Sequence, residues 1–346
     1  MRPAEQLVGL DLPNGWKVLD LVTQSPTATG GSFGVGYLVE NADGRKAFLK
    51  AMDYTLAFQQ QDTVMALNWL TRTYIFEKEI CELCRTKHLD RVVHAIEHGS
   101  IQIDPSQPLS KVEYLIFEKA DRDVRAALEI QGRLNIAFNL RVLHHVAIGL
   151  EQLHGAVIAH QDLKPSNVLV FPQSVGSKLA DLGRAWAKDI AAPHDGLPVA
   201  GDRGYAPPEL IYKNDNLTPD QRRFGCDLYH LGTLAVFLFT RAYINALVTK
   251  HLQLQYRSIA WRGSYTEVLP FIHSAFANAL SEIKASIGGG VATEIVDLIA
   301  QLCEPDPGRR GHPLSIAEGK QYSLERYISV LDRLAAKAEL EAYRST

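Results

Sequence analysis

The residues best suited to chemistry in this chain lie in one short stretch, from His160 to Asn167. Asp162 could act as a base, Lys164 adds a cation two residues later, and Asn167 adds an amide that can bind a metal ion. Phosphoryl transfer from ATP is catalysed mostly by positioning and by neutralising charge, and it needs groups of these three kinds close together. The spacing therefore indicates a reaction centre for phosphoryl transfer.

The elements on either side must hold this stretch in place. Apolar residues recur at helical spacing before it and predict a helix that leads into it, namely Val142, Val146, Leu150 and Leu153. After it, residues 178–183 read Lys-Leu-Ala-Asp-Leu-Gly, which predicts a strand followed by an acid at a turn. That acid, Asp181, is suited to binding a metal ion.

The first third of the chain predicts five strands with helical insertions. Alternating and β-branched residues indicate strands at 16–21, 36–40, 46–52, 92–103 and 112–117. Residues 53–70 have a helix-like composition, and a second helix is predicted to end near Arg85 because apolar residues recur at helical spacing from Phe76 onwards.

Two features of this part could bind phosphates. Residues 29–34 predict a Gly-rich turn, and its backbone amides could cover phosphates. These amides would be those of Gly31, Ser32, Phe33 and Gly34. A glycine-rich hairpin without a ligand is the alternative. Lys50 closes the third strand, and Glu77 on the following helix could pair with it. Ordinary solvated surface charges are the alternative interpretation of both residues.

The rest of the chain is predicted to be mostly helical. Further helices are indicated at 228–240, at 291–302 and from Leu324 to Leu334. The apolar stripe of the last helix indicates packing on its own domain, and a partner-binding helix is the alternative.

Composition excludes several classes of protein. With 346 residues the chain is long enough for two lobes, and a net charge of −3 without a long Lys/Arg run argues against nucleic-acid binding. The apolar run at 228–240 is too short to span a bilayer, and residues 1–16 lack the apolar core of a secretory signal, so no membrane association is predicted. Four cysteines make no disulfide framework, which indicates a cytoplasmic location; Cys81 and Cys84, without a second pair, indicate packing rather than a metal site.

Taken in order, these motifs resemble the eukaryotic-type Ser/Thr protein kinase family from about Trp16 to Arg310. The resemblance includes Gly-Asp-Arg-Gly-Tyr-Ala-Pro-Pro-Glu at 201–209, Asp227, and Asp-Pro-Gly-Arg-Arg at 306–310. It implies an α+β, bilobal protein-kinase-like fold. The small β-rich N-lobe would span 1–117, the hinge 118–121 and the larger helical C-lobe 122–346.

The resemblance also implies ATP, Mg²⁺ and specific site residues. Asp162 would be the catalytic base, Lys164 would steady the transferred group, and Lys50 paired with Glu77 would hold phosphates. Asn167 and Asp181 would hold Mg²⁺. Beyond the Gly-rich loop and Lys50, nucleotide contacts would come from Phe48, Phe117, Glu118, Ala120 and Leu169. Two pairings of the scaffold are implied as well, Asp227 with the catalytic loop and Glu209 with Arg310.

Two departures from the family pattern concern control. Gln161 stands where many members have an Arg that binds a phosphorylated activation loop, a variant described as non-RD. The stretch from Leu182 to Gly204 contains no Ser, Thr or Tyr. Phosphorylation of this loop is therefore not expected to control the enzyme, which would be constitutively competent or regulated by a protein partner.

Two further departures lie at the site itself. Small or β-branched residues that usually roof the purine are replaced by Gly36 and Phe48, a roughly volume-conserving exchange. Phe48 would stack on the purine or, alternatively, fill its pocket. Asp202 stands where a Thr is usual, and it either pairs with Lys164 or is a solvated loop acid.

We therefore predict a protein kinase that phosphorylates Ser or Thr hydroxyls of a protein substrate. One alternative is a pseudokinase or scaffold with a partly filled adenine pocket. A small-molecule kinase is a weaker alternative, because Lys164 and the expected pair of Glu209 with Arg310 argue against it. The sequence leaves the substrate, the regulator and the oligomeric state open.

Overall fold

The computed structural model describes residues 2–22, 34–107, 110–132, 134–172, 174–288 and 290–344. A five-stranded antiparallel sheet builds the N-terminal part of these residues, and helices build most of the remainder. The α+β, bilobal architecture predicted from the sequence is therefore present.

The main sheet has the strand order β1-β2-β3-β5-β4. Its strands are β1 (Trp16–Leu21), β2 (Gly34–Asn41), β3 (Lys46–Met52), β4 (Ala95–Gln102) and β5 (Lys111–Glu118). Five short strands follow, β6 (Arg122–Asp123), β7 (Ile158–Ala159), β8 (Val168–Val170), β9 (Ser177–Leu179) and β10 (Trp186–Ala187). The third strand has its predicted bounds, whereas β4 starts three residues later than predicted.

Alternation along β3 explains how the sheet divides its two faces. Ala47, Leu49 and Ala51 are fully buried on one face, together with Tyr37 from β2. Phe48 and Lys50 occupy the alternate positions, so they point to the opposite face. The N-terminal residues cover the buried face, where the Tyr37 hydroxyl donates to the carbonyl of Ala4 at 2.6 Å.

One long helix replaces the two helices predicted for this region. Residues Tyr54–Gln59 form a 3₁₀ helix, and α1 then runs without a break from Thr63 to Thr86. The carboxylate of Asp62 accepts a hydrogen bond from the amide of Met65 at 2.8 Å and caps the N-terminus. The expected break was wrong because residues 63–86 contain neither Gly nor Pro.

The C-terminal part packs helices around α5. The helices after α1 are α2 (Val124–Gln131), α3 (Ile136–Gly155), α4 (Pro208–Ile211), α5 (Pro219–Thr240), α6 (Ile244–His251), α7 (Tyr265–Ile287), α8 (Ala292–Leu302), α9 (Pro313–Ala317) and α10 (Glu325–Arg344). Helix α5 is buried continuously from Gly225 to Phe239. It begins nine residues before the predicted start, because Thr218 and Gln221 form a capping box and Pro219 takes the first position.

All four cysteines are free and buried, with Cys81 and Cys84 on α1 and with Cys226 on α5. Burial raises the pKa of each thiol, to about 12 for Cys84 and for Cys303. These thiols are therefore protonated at neutral pH.

No single helix among the described residues has both the length and the apolar composition needed to cross a bilayer. Helices α5 and α6 meet that criterion only as a pair, and the pair is bent by 86°.

Candidate active site

A buried acid on α5 shapes the loop that carries the candidate catalytic residues. Asp227 Oδ2 accepts a hydrogen bond from the amide of His160, and its Oδ1 accepts one from the amide of Gln161, both at 2.8 Å. The ring of His154 lies 2.9 Å from the same carboxylate. Gln161 has a φ of 60°, which is uncommon for a residue other than glycine. The Asp227 contacts therefore hold the loop in a strained conformation next to α5.

The base, the cation and the amide of this loop lie within contact distance of one another. Lys164 Nζ is 3.2 Å from Asp162 Oδ2. Asn167 Nδ2 donates to the Asp162 carbonyl at 2.8 Å and lies 3.2 Å from Asp162 Oδ2. The other carboxylate oxygen accepts the amide of Asp202 at 2.7 Å. Burial raises the pKa of Asp162, and the nearby Lys164 ammonium opposes that rise.

Lys50 joins the sheet to α1 and to the loop after β9. Its Nζ lies 2.7 and 2.9 Å from the two carboxylate oxygens of Glu77 and 3.3 Å from Asp181 Oδ1. Burial opposes the charge on Lys50, but the carboxylates of Asp181 and Glu77 outweigh it and raise the Lys50 pKa. The ammonium therefore stays charged where the two lobes meet.

Asn167 and Asp181 fit a magnesium ion by donor type and by position. The main-chain carbonyl of Asn167 accepts the amide of Ala180 at 2.9 Å, which brings the backbone of Asn167 next to the residue that precedes Asp181. The Lys50 ammonium lowers the pKa of Asp181, so an anionic oxygen donor is available there. Among the described residues, no three His, Cys, Asp or Glu side chains cluster as a complete metal site. Mg²⁺ commonly takes one or two protein oxygens and completes its shell with water and substrate phosphates.

The ring of Phe48 occupies the space beside Gly36. A Cβ at Gly36 would lie 2.8 and 2.9 Å from two ring carbons of Phe48, closer than side chains pack. Phe48 faces Phe117 across the pairing of β3 with β5, and both are half-buried. The large side chain of Phe48 thus fills the space that the missing side chain of Gly36 leaves, so the two departures at the predicted purine site compensate for each other in volume.

The residues predicted for the hinge border this region. Glu118 Oε1 accepts hydrogen bonds from Lys178 Nζ at 2.7 Å and from the amide of His94 at 2.8 Å, so its side chain has a structural use. Ala120 is half-buried, and Leu169 pairs with Asp123 between β8 and β6. Residues 119–121 therefore join β5 to β6, and β6 pairs with β8, the strand that carries Leu169.

The predicted Gly-rich loop falls largely outside the described residues, which include neither Gly31 nor Ser32 nor Phe33. Gly34 opens β2, and a Cβ there would lie 3.2 Å from Lys50 Cγ. Strand β2 therefore begins beside Lys50.

Of the two alternatives for Asp202, the structure shows the ion pair with Lys164, although the pair is a long one. Its Oδ2 is 3.9 Å from Lys164 Nζ, whereas its Oδ1 accepts the amide of Gly204 at 2.8 Å. The backbone of Asp202 makes the closer contact with the site, through the hydrogen bond to Asp162.

The buried pair of Glu209 with Arg310 anchors the chain after residue 204. The guanidinium donates to both carboxylate oxygens at 2.6 and 2.8 Å, and neither side chain is exposed. Asn245 of α6 was not predicted; its amide donates to the carbonyls of Gly204 and Ala206, each at 2.9 Å. No pattern around Asn245 in the sequence signals this contact, which depends on tertiary packing.

Comparisons with known proteins agree with this geometry. A family model described as protein kinase domain matches residues 29–321. The chain is 29% identical to cell division control protein 2 homolog 3 of Trypanosoma brucei brucei, over 57% of this chain and 64% of that protein. It is 24% identical to an Aurora kinase of Debaryomyces hansenii, over 57% of this chain and 41% of that protein. It is 25% identical to serine/threonine-protein kinase SSN3 of Candida albicans, over 72% of this chain and 44% of that protein. The chain thus spans less than two thirds of the length of each of these relatives.

Proposed function

The chain belongs to the protein kinase domain family, and from this premise we propose that it transfers the γ-phosphoryl group of ATP to a Ser or Thr hydroxyl of a protein. The contact that carries the proposal is the one between Lys50 Nζ and Asp181 Oδ1 at 3.3 Å, because it joins the sheet to the loop beside Asp162 and Asn167. Similarity to serine/threonine-protein kinase SSN3 supports the choice of hydroxyl acceptor.

Each group near the cleft has a proposed part in the transfer. Lys50, held by Glu77, binds phosphate oxygens, and Asp162 orients the acceptor hydroxyl and accepts its proton. Lys164 neutralises charge on the transferred group. Asn167 and Asp181 would hold Mg²⁺, which would supply charge neutralisation for the phosphates.

The nucleotide site is proposed on both sides of residues 118–121, which would act as the hinge between a lobe at 1–117 and a lobe at 122–346. Gly31, Ser32, Phe33 and Gly34 would cover the phosphates, while Phe48, Phe117, Glu118, Ala120 and Leu169 would surround the purine. A cytoplasmic location and a regulatory protein partner remain predictions from the sequence.

We further propose that the enzyme is constitutively competent or controlled by a protein partner and is not switched by phosphorylation, since none of residues 182–204 has a side-chain hydroxyl. Protein treated with phosphatase and repurified should transfer label from γ-labelled ATP to a protein acceptor as fast as untreated protein. The Asp181→Ala variant should transfer none, because it lacks a proposed metal ligand. A large drop after phosphatase treatment would contradict the proposal on control.

Untreated protein that transfers no label, while still binding a partner, would favour the scaffold alternative. Label on a small hydroxyl compound alone would favour the small-molecule alternative.

Stacking of Phe48 on the purine can be tested by removing the ring. Phe48→Ala should weaken ATP binding by about 2- to 10-fold, since an aromatic stacking contact contributes about 0.5–1.5 kcal/mol. Calorimetric titration with ATP and Mg²⁺ measures the change. Phe58→Ala, which removes a ring that is 49% exposed on the 3₁₀ helix before α1, is the matched control. Tighter binding by Phe48→Ala would mean that the ring fills the pocket instead.

A further inference from the structure

The activation segment, defined here as residues 182–204, is tied to the catalytic loop near both of its ends. Near its start, Gln161 Nε2 donates to the carbonyl of Arg184 at 3.3 Å. Near its end, the amide of Asp202 donates to Asp162 Oδ1 at 2.7 Å. The middle of the segment needs support of its own if it is to stay next to the site.

Two consecutive arginines of α5 provide that support. Arg223 forms an ion pair with Asp195 in the middle of the segment, and Arg222 donates to the carbonyl of Leu197. Arg223 lies four residues before Asp227, so both side chains lie on the same face of α5. One helix therefore holds the catalytic loop through Asp227 and the activation segment through Arg223.

Arg223 makes more contacts than a surface arginine would. Its side chain is only 11% exposed, its Nη1 lies 3.1 Å from Gln161 Oε1, and its guanidinium carbon lies 5.2 Å from the centre of the Trp186 ring. Burial lowers the Arg223 pKa, and the Asp195 carboxylate opposes that effect. Since a buried guanidinium without an anion is costly, Asp195 is the partner that makes this arrangement favourable.

The same turn of the segment reaches helix α1. His194, next to Asp195, is buried, and its Nε2 lies 2.9 Å from the carbonyl of Ala185. Its ring packs edge-on against Phe76, with 5.5 Å between ring centres. Phe76 precedes Glu77 in α1, so this turn of the segment packs against the helix that carries the Lys50 partner.

We propose that Arg223 and Asp195 are positioning residues that hold the activation segment for catalysis. A permanent carboxylate on the segment, bound by an arginine of α5, would do the work that a phosphate and the catalytic-loop arginine do in kinases switched by phosphorylation. Gln161 links the catalytic loop to this pair and to the segment. Its side-chain oxygen accepts from Arg223, and its side-chain nitrogen donates to the carbonyl of Arg184. The inference rests on the proposed phosphoryl transfer and adds how the segment is kept in place.

The experiment compares Asp195→Asn, Asp195→Glu and Arg223→Gln with the double variant Asp195→Asn/Arg223→Gln. Asp189→Asn is the matched control, because Asp189 is an exposed acid of the same segment with no ion pair among the described residues. Steady-state kinetics with a protein or peptide acceptor give kcat and KM for each substrate. Hydrogen exchange of the amides at 185–200 reports the order of the segment, and thermal unfolding verifies that each variant is folded.

Asp195→Asn should lower kcat/KM for the acceptor by about tenfold, the size of a typical pairwise coupling, and should leave KM for ATP unchanged. The double variant should be no worse than Arg223→Gln alone, since both changes break one interaction. Asp195→Glu, which keeps the anion, should retain most of the activity, and amides at 185–200 should exchange faster only where the pair is broken.

The proposal is overturned if Asp195→Asn and Asp189→Asn match in both exchange and kcat/KM, or if exchange rises without any loss of kcat/KM. Failure of the proposed function looks different, since wild-type protein would then transfer no phosphoryl group at all. In that case the exchange data still decide whether the pair orders the segment, and wild-type-like exchange in Asp195→Asn overturns the structural part as well.

Discussion

Replacing Asp162 by asparagine should lower kcat for phosphoryl transfer by about 10²- to 10⁴-fold, the range that a general base contributes. Asparagine has nearly the same shape, so an oxygen can still accept the amide of Asp202, as Asp162 Oδ1 does at 2.7 Å. It cannot accept the proton of the acceptor hydroxyl. The loss should therefore come from the chemical step and not from a collapsed loop, and single-turnover measurements with saturating ATP would separate the two.

Two controls accompany the Asp162→Asn variant. Its affinity for ATP should equal that of the wild type, and a loss of activity smaller than tenfold would contradict the assignment of the base. In the wild type, the rate should fall as pH decreases through the pKa of Asp162, because only the carboxylate can accept a proton. Burial raises that pKa, so the fall should begin at a higher pH than for an exposed aspartate.

Replacing Arg310 by methionine should lower the free energy of unfolding by about 3–5 kcal/mol, as when one partner of a buried ion pair is removed. The change leaves the Glu209 carboxylate without its guanidinium, and neither side chain has any exposed surface. It also removes the hydrogen bonds that Arg310 donates to the carbonyls of Glu304 and Gly225, at 3.0 and 3.1 Å. Urea unfolding followed by circular dichroism measures the loss.

A surface pair provides the matched comparison for this loss. Arg326 pairs with Glu318, and their side chains are 36% and 53% exposed, so Arg326→Met should cost at most about 1 kcal/mol. The double variant Glu209→Gln/Arg310→Met should recover part of the stability, because the buried charge is gone. Equal losses for Arg310→Met and Arg326→Met would show that the buried pair has no special weight.

Local patterns in the sequence were sufficient for much of the fold. Alternation fixed the third strand with its actual bounds, Lys46–Met52, because one face of it is buried and the other faces the cleft. Helix starts were harder to predict from apolar spacing, since first turns need not face the core: Asp220 and Gln221 of α5 are polar, and Val64 and Met65 of α1 are exposed. The cap at Asp62 and the capping box at Thr218 are both visible in the sequence, and they would have given the starts of α1 and α5.

In the candidate site, too, the sequence predicts local groupings of residues better than contacts between distant residues. Asp162, Lys164 and Asn167 lie within six residues, so their spacing alone places them together. The contact of Lys50 with Asp181 spans 131 residues, and the resemblance to a family implied only that both residues belong to one site. Arg223 and Asp195 are 28 residues apart in an ion pair without a motif, and nothing in the sequence indicates which arginine faces which acid.

The four buried cysteines give this chain a built-in chemical reporter of its own unfolding. Thiol reagents react with the thiolate. In the folded chain, burial keeps reagents away from these thiols, and their raised pKa values keep them protonated. Pulse labelling followed by mass spectrometry would then count only opened molecules. Because Cys81 and Cys84 lie on α1 whereas Cys226 and Cys303 lie among the C-terminal helices, the modified positions would reveal which part opens first.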